Sequence, residues 1–259
     1  IGLAYDNLSQ YDKAIAYYEK SLKIRKKTGN LNGEAKTLNN IGLAYGNLGQ
    51  YYKAIEFYEK ALQINEKLGD ISTVGTSLSN IGTAYQSTGQ YAKALECFEK
   101  SLILRKKIGD IKGEGTTLNN LGLVNKELGQ YSKAIGLYED ALKIFHKIGD
   151  VRNEGITINN TGSVYNELGQ YSKALEFYEK SLEIDRRIGN LRGEGISLSN
   201  IGTISAERGQ YSIALEAYLK SLEIAKKIGD VAGEATCLNN IGAAYSDLGQ
   251  SSKALEFYE

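Results

Sequence analysis

Six asparagines recur at one interval along this chain: Asn40, Asn80, Asn120, Asn160, Asn200 and Asn240. A side-chain amide offers a donor and an acceptor together, so a row of them can hold the backbone of an extended peptide whatever side chains that peptide bears. The same amides can equally bond to a neighbouring element and register it, and the two uses are compatible. Seven positions beyond each asparagine stand Asn47, Ser87, Glu127, Glu167, Glu207 and Asp247, so four acids share one place towards the C-terminal half. Such carboxylates either sit in water as ordinary surface charge or form a lane for lysine and arginine.

Other chemistries lack their parts. His146 is the only histidine, and a metal centre or a nucleophile-base pair needs partners that it does not have. It stands where most other intervals carry Lys or Arg, the place of an exposed helix-end residue. The stretches "GDIKGEG" (109–115) and "GNLRGEG" (189–195) follow no strand and precede no Gly-Lys-Ser/Thr, so they read as interhelix turns and not as phosphate loops. Arg25, Lys26 and Lys27, like Arg105, Lys106 and Lys107, fall in the last turn of a helix, where cations complement the dipole. No aromatic platform is interleaved with them. With 31 Lys and Arg against 31 Asp and Glu, no overall field invites nucleic acid or an anionic membrane. The expectation is therefore a chain that is not an enzyme and that needs no metal or cofactor.

No apolar run reaches the roughly 18 to 20 residues of a bilayer span, and no charged-then-apolar leader opens the chain. Cys97 and Cys237 lie three and a half intervals apart, beyond disulfide reach if intervals stack about 10 Å apart. Two reduced core thiols suit a cytoplasmic, reducing setting.

The elements that must position these residues follow from the period. Gly42, Gly82, Gly122, Gly162, Gly202 and Gly242, with Ala54 and its successors, recur every 40 residues with no insertion, the mark of an array whose units bury their apolar faces on one another. Leu38, Ile41, Gly42, Tyr45 and Leu48 lie on one face of a first helix, A. Ala54, Ile55, Tyr58, Ala61, Leu62 and Leu68 form the broader stripe of a second, B. Gly49 and Gly69 supply the left-handed residues that end them, and Asp70 is a candidate N-cap for the next A helix. Each helix should run roughly 17 or 18 residues, about 26 Å. Gly42 and Ala54 lack bulk where A meets B, which lets the backbones approach.

These residues carry a family resemblance. "NNIGLAYGNLGQYYKAIEFYEKAL" (39–62) resembles the tetratricopeptide repeat, with Gly42, Tyr45, Gly49, Tyr51, Ala54, Tyr58 and Ala61 in its signature places and Leu38 where a tryptophan often stands. The unit is 40 residues long instead of 34, the extra residues falling in "GDISTV" and its equivalents. This longer form resembles the repeats of the Pins/LGN spindle-orientation adaptors and of bacterial and cyanobacterial signalling proteins, with the kinesin light chain array more distant. The resemblance implies an all-α solenoid of antiparallel helix pairs in a right-handed superhelix, one array over residues 1–259. It also implies that the A helices line the concave wall, so that Lys36, Asn40, Leu43 and Asn47 face inward, and that asparagines at this place contact ligand.

The function so implied is a scaffold that binds an extended protein segment, with basic residues if the acidic lane is used. The alternative is a regulatory or sensor arm of a larger signalling enzyme: a protease, a kinase or a nucleotide-switch protein. Carboxylate-clamp ligands are disfavoured because Lys36 and Lys126 are the only close cations. Two looser core sites are expected at Asn125 and Ser205, where most intervals carry a tyrosine. The chain opens within an A helix and closes at Glu259 within a B helix, so it reads as a section of a longer protein with fraying ends.

Overall fold

The structure, a computed structural model, describes residues 1–258, and Glu259 lies outside them. All the regular structure among the described residues is helical, in two compact units, Ile1–Gln130 and Tyr131–Glu259. The first contains α1 (Gly2–Asn7), α2 (Tyr11–Lys27), α3 (Leu31–Asn47), α4 (Tyr51–Leu68), α5 (Ile71–Ser87), α6 (Tyr91–Ile108) and α7 (Ile111–Glu127). The second contains α8 (Tyr131–Ile148), α9 (Val151–Glu167), α10 (Tyr171–Ile188), α11 (Leu191–Glu207), α12 (Tyr211–Ile228), α13 (Val231–Asp247) and α14 (Ser251–Tyr258). Within each unit every helix packs on the next in sequence, and α5 also meets α7, α9 meets α11 and α11 meets α13. This is the helix-pair solenoid that the period implies. No helix among the described residues is long and apolar enough to cross a membrane.

Each boundary has a local cause. At the end of α3 the Gln50 N–H donates to the Tyr45 carbonyl and the Gly49 N–H to that of Gly46, both at 2.9 Å, with Gly49 left-handed at φ 72°. These are the two bonds of a Schellman close. Gln50 begins α4 without capping it and instead accepts from Lys53 Nζ at 2.7 Å. The A-type helices are capped as expected: Asp70 Oδ1 accepts from the Thr73 N–H at 3.1 Å, and Asn30 accepts from that of Gly33 at 2.9 Å. Asn190 is the exception, its amide turning to Asp185 instead.

The close approach at Gly42 has a specific origin. A Cβ there would fall 2.6 Å from the Tyr58 ring, which leans over the glycine from α4. Ala54, Tyr58 and Ala61 are buried, as are Ile41 and Ala44 on the facing helix. The repeat thus seats one large ring in the notch left by one absent side chain.

Candidate functional site

The odd-numbered helices carry the asparagine row. Each of these residues is half-buried and flanked on its own helix by exposed neighbours, Lys36 and Asn47 in the case of Asn40. Asn80 Nδ2 donates across from α5 to Asn39 Oδ1 of α3 at 2.9 Å, and Asn200 Nδ2 donates from α11 to Asn159 Oδ1 of α9 at 3.1 Å. The acceptor is the residue just before the row, a position that the sequence reading overlooked although it is asparagine or serine in every repeat. Where it is Ser79 or Ser199, the facing Asn120 and Asn240 make no such bond. Even the bonded amides keep a second N–H and an oxygen for other partners.

A stability difference should follow. Asn39→Ser is expected to lower the unfolding free energy by about 1 kcal/mol, the net worth of one such bond, and Asn159→Ser by about 2 kcal/mol, because Asn159 also donates to Ser197 Oγ at 3.0 Å. Asn120→Ser or Asn240→Ser should stay within about 0.5 kcal/mol of the parent. Urea titration of the four variants checks this.

Four clefts open along the same helix faces. One of about 230 Å³ between α3 and α5 takes in Lys36, Asn40 and Asn65. A second, of about 320 Å³ between α5 and α7, runs from Ser87 to Glu127. In the second unit a cleft of about 100 Å³ lies beside Asn160 and one of about 260 Å³ beside Asn200. Glu127 is exposed and pairs with Lys126 at 3.1 Å, while Glu167, Glu207 and Asp247 are exposed at the ends of α9, α11 and α13. The carboxylates therefore occupy matching helix ends within the second unit.

Beneath this surface one B-helix position varies in chemistry from repeat to repeat. It is Arg25, Asn65, Arg105, Phe145, Asp185 or Ala225. The arginines read from sequence as part of a solvated basic ridge, but Arg105 turns inward with its side chain 12% exposed. There its Nε donates to Ser101 Oγ at 3.2 Å and its guanidinium pairs with Asp110. The ridge proper is Lys26, Lys106, Arg186 and Lys226, each beside a first-turn glutamate of the next helix. His146 takes the same place opposite Glu154, 3.5 Å away and largely exposed.

Asp185 is 2% exposed. It accepts from Asn190 Nδ2 at 2.7 Å and more weakly from Ser181 Oγ, and burial pushes its carboxyl above the usual carboxylate range. Burial also raises the thiols Cys97 and Cys237, both free, away from reactive thiolate character. The Tyr58 and Tyr178 hydroxyls are pushed up to about 12 by burial.

The expectation of a lost core ring at Asn125 and Ser205 is corrected. The tyrosine of other repeats is half-buried, and at Tyr5, Tyr45, Tyr165 and Tyr245 it lies flat on an aromatic of the following helix, as Tyr45 does on Phe57 at 5.4 Å with Lys53 above it. Asn125 and Ser205 are more buried than those tyrosines and donate to the carbonyls of Leu121 and Ile201. In both repeats the partner position also lacks a ring, being Leu137 and Ala217, whereas Tyr85 keeps its ring with Cys97 at that position. What is lost is a surface platform.

Comparison with known proteins adds the following. The tetratricopeptide repeat family model matches residues 1–67, 73–147, 114–187, 153–227 and 193–259. No curated protein matches the chain in sequence. Among solved structures it is similar to aspartyl phosphate phosphatase F from Bacillus subtilis, at TM-score 0.80 and 17% identity over 99% of this chain and 66% of that one. The apo form of RapI gives TM-score 0.77 at 19% identity over 99% and 92% of the two chains. A signal-transduction ATPase with numerous domains and a tetratricopeptide repeat sensor, from Pyrococcus horikoshii, gives 0.76 at 22% identity over 100% of this chain and 41% of that one. At such identities the likeness is one of fold.

Proposed function

Because this chain belongs to the tetratricopeptide repeat family, we propose that it is a non-enzymatic scaffold that holds an extended protein segment along its odd-numbered helices. The observation that carries this reading is the run of clefts between those helices, each bordered by residues of the asparagine row or of the Asn47 position. Asn40, Asn80, Asn120, Asn160, Asn200 and Asn240 take the segment's backbone, with Asn40, Asn120 and Asn240 the least committed to neighbours. Lys36, Asn47, Glu127, Glu167, Glu207 and Asp247 read its side chains. Neighbouring repeats within a unit stand about 10 Å apart, so a segment with a basic residue at about every third extended position meets Glu167, Glu207 and Asp247 of the second unit in turn.

A panel of displayed random peptides selected on the chain tests the proposal. Binders should be rich in Lys and Arg. Neutralising the four acids together, Glu127→Gln, Glu167→Gln, Glu207→Gln and Asp247→Asn, should weaken them about tenfold and flatten the salt dependence of binding. The unfolding midpoint should hardly move, since exposed charges contribute little to stability. Affinity and salt slope that survive the fourfold change remove the acids from the site, and failure to select any peptide removes the scaffold reading itself.

A second reading, a sensor arm within a larger signalling enzyme, is supported by the Pyrococcus protein, whose repeat sensor is one part of an ATPase with numerous domains. The chain spans less than half of that protein.

A further inference from the structure

Arg105 shows what its surroundings are built to hold. Ser101 Oγ donates to the Gly75 carbonyl at 2.8 Å and accepts from Arg105 Nε. Asp110 caps α7 through Oδ1, at 2.9 Å from the Gly113 N–H, and offers Oδ2 to the guanidinium. Position 113 must be glycine, because a Cβ there would lie on the guanidinium. Serine, aspartate and two glycines thus form a fitted receptor for one arginine side chain.

The same receptor recurs between α11, α12 and α13 without its arginine. Ser221 Oγ donates to the Gly195 carbonyl at 2.8 Å, and Asp230 Oδ1 caps α13 at 3.1 Å from the Gly233 N–H. The equivalent of Arg105 is Ala225, and the space is the cavity of about 260 Å³. At Gly233 the three atoms nearest to an added Cβ would be those of the Asp230 carboxyl, the closest at 3.1 Å, with no guanidinium pressed on it as at Gly113. Asp230 Oδ2 has one loose contact, 3.4 Å from a terminal nitrogen of Arg192, whose side chain is 66% exposed at the rim. That contact shows that the carboxylate already attracts a guanidinium.

The other repeats argue against an apolar guest. Where Phe145 fills the equivalent place, the serine is Ala141 and the glycine is Asn153, whose Nδ2 occupies Asp150 Oδ2 at 2.9 Å. Where Asp185 fills it, the aspartate of the receptor becomes Asn190, which donates to it. The companions change with the guest: the serine and glycine recur beside Arg25, where Asn30 replaces the aspartate, and the full set of serine, aspartate and glycine around Ala225 is that of Arg105. Ile196, Asn200 and Thr236 border the cavity, which places it on the face that carries the asparagine row.

We propose that the cavity between α11, α12 and α13 receives an arginine side chain of the bound protein segment, held by the Asp230 carboxylate and the Ser221 hydroxyl as Arg105 is held by Asp110 and Ser101. This rests on the scaffold reading for its biological source, but the receptor can be probed without any peptide. N-acetylarginine methylamide, titrated into the isotope-labelled full chain, should shift the amide signals of Gly195, Gly233 and Cys237 saturably. The neutral citrulline analogue should bind about tenfold more weakly, the scale of one charge-assisted hydrogen bond.

Ala225→Arg, which supplies the guest internally, should abolish the shifts. Asp230→Asn should reduce arginine to the citrulline level while keeping the cap, as Asn30 caps α3, and it serves should Ala225→Arg not fold. Absence of saturable shifts, equal binding of citrulline, or full binding by the folded Ala225→Arg chain each overturns the proposal. These outcomes are separate from those of the peptide selection: binders that ignore Ala225→Arg leave the scaffold standing and sink the receptor, whereas a working receptor with no selectable peptide does the reverse.

Discussion

Phe98→Ala is expected to cost about 3 to 5 kcal/mol of unfolding free energy, as for other fully buried rings. Phe98 is 0% exposed, and its ring sits against Gly82, where a Cβ would fall 2.8 Å from Cε1. Gly82→Val should therefore cost about 1 to 3 kcal/mol alone, by pushing the ring off its seat. Combined with Phe98→Ala, the valine enters the vacated space, and the double variant should be more stable than the sum of the single losses by about 2 kcal/mol. Hydrogen exchange should place each loss in α5 and α6, because stability in a stacked array is a nearest-neighbour property. Strictly additive losses in urea titration would show that the ring and the glycine do not share one notch.

Asp185→Asn is expected to act in the opposite direction, raising stability at neutral pH by about 2 kcal/mol. The carboxyl lies in α10 with no cation within ion-pair distance among the described residues, and burial raises its pKa from the ordinary 3.8. The folded state thus holds the proton more tightly than the unfolded chain does. Its contribution to stability is fully present below pH 3.8 and is lost as the pH rises through the raised folded-state value. At neutral pH the fold bears the cost of burying this carboxyl, which asparagine would relieve, while the carbonyl oxygen still accepts from Asn190. Unfolding midpoints at pH 7 and pH 3 provide the check: the variant should gain at the first and converge on the parent at the second. An equal gain at both would assign the effect to packing.

Much of this protein was legible in the chain because its cause is local or periodic. Gly49 ends α3 by adopting a left-handed conformation that only its immediate neighbours require, and Asp70 caps α5 through a residue three positions on. The 40-residue recurrence of Gly42 and Ala54 announced the helix pairs, since both mark the face on which helix meets helix. The asparagine row was equally plain. Its partner position was visible too, at Asn39 and Asn159, but its meaning was not, since the bond it accepts spans 41 residues and exists only once α3 and α5 are side by side.

What composition and spacing left open is the direction in which a side chain points. Arg105 belongs to a run of three cations that looks like a solvated helix end, yet it is the one that turns inward, because Gly113 leaves room and Asp110 supplies the charge. Tyr45 has the periodicity of a core residue, but the stripe is broad enough that this ring lies at its edge, half-buried and stacked on Phe57. Composition and period alone thus determined the helices, their caps, their pairing and the repeat of the amide row. Only the tertiary structure decided which polar groups are spent on neighbouring repeats and which cavity is left empty, because those outcomes depend on three helices meeting at one point, and no single helix records where the other two will stand.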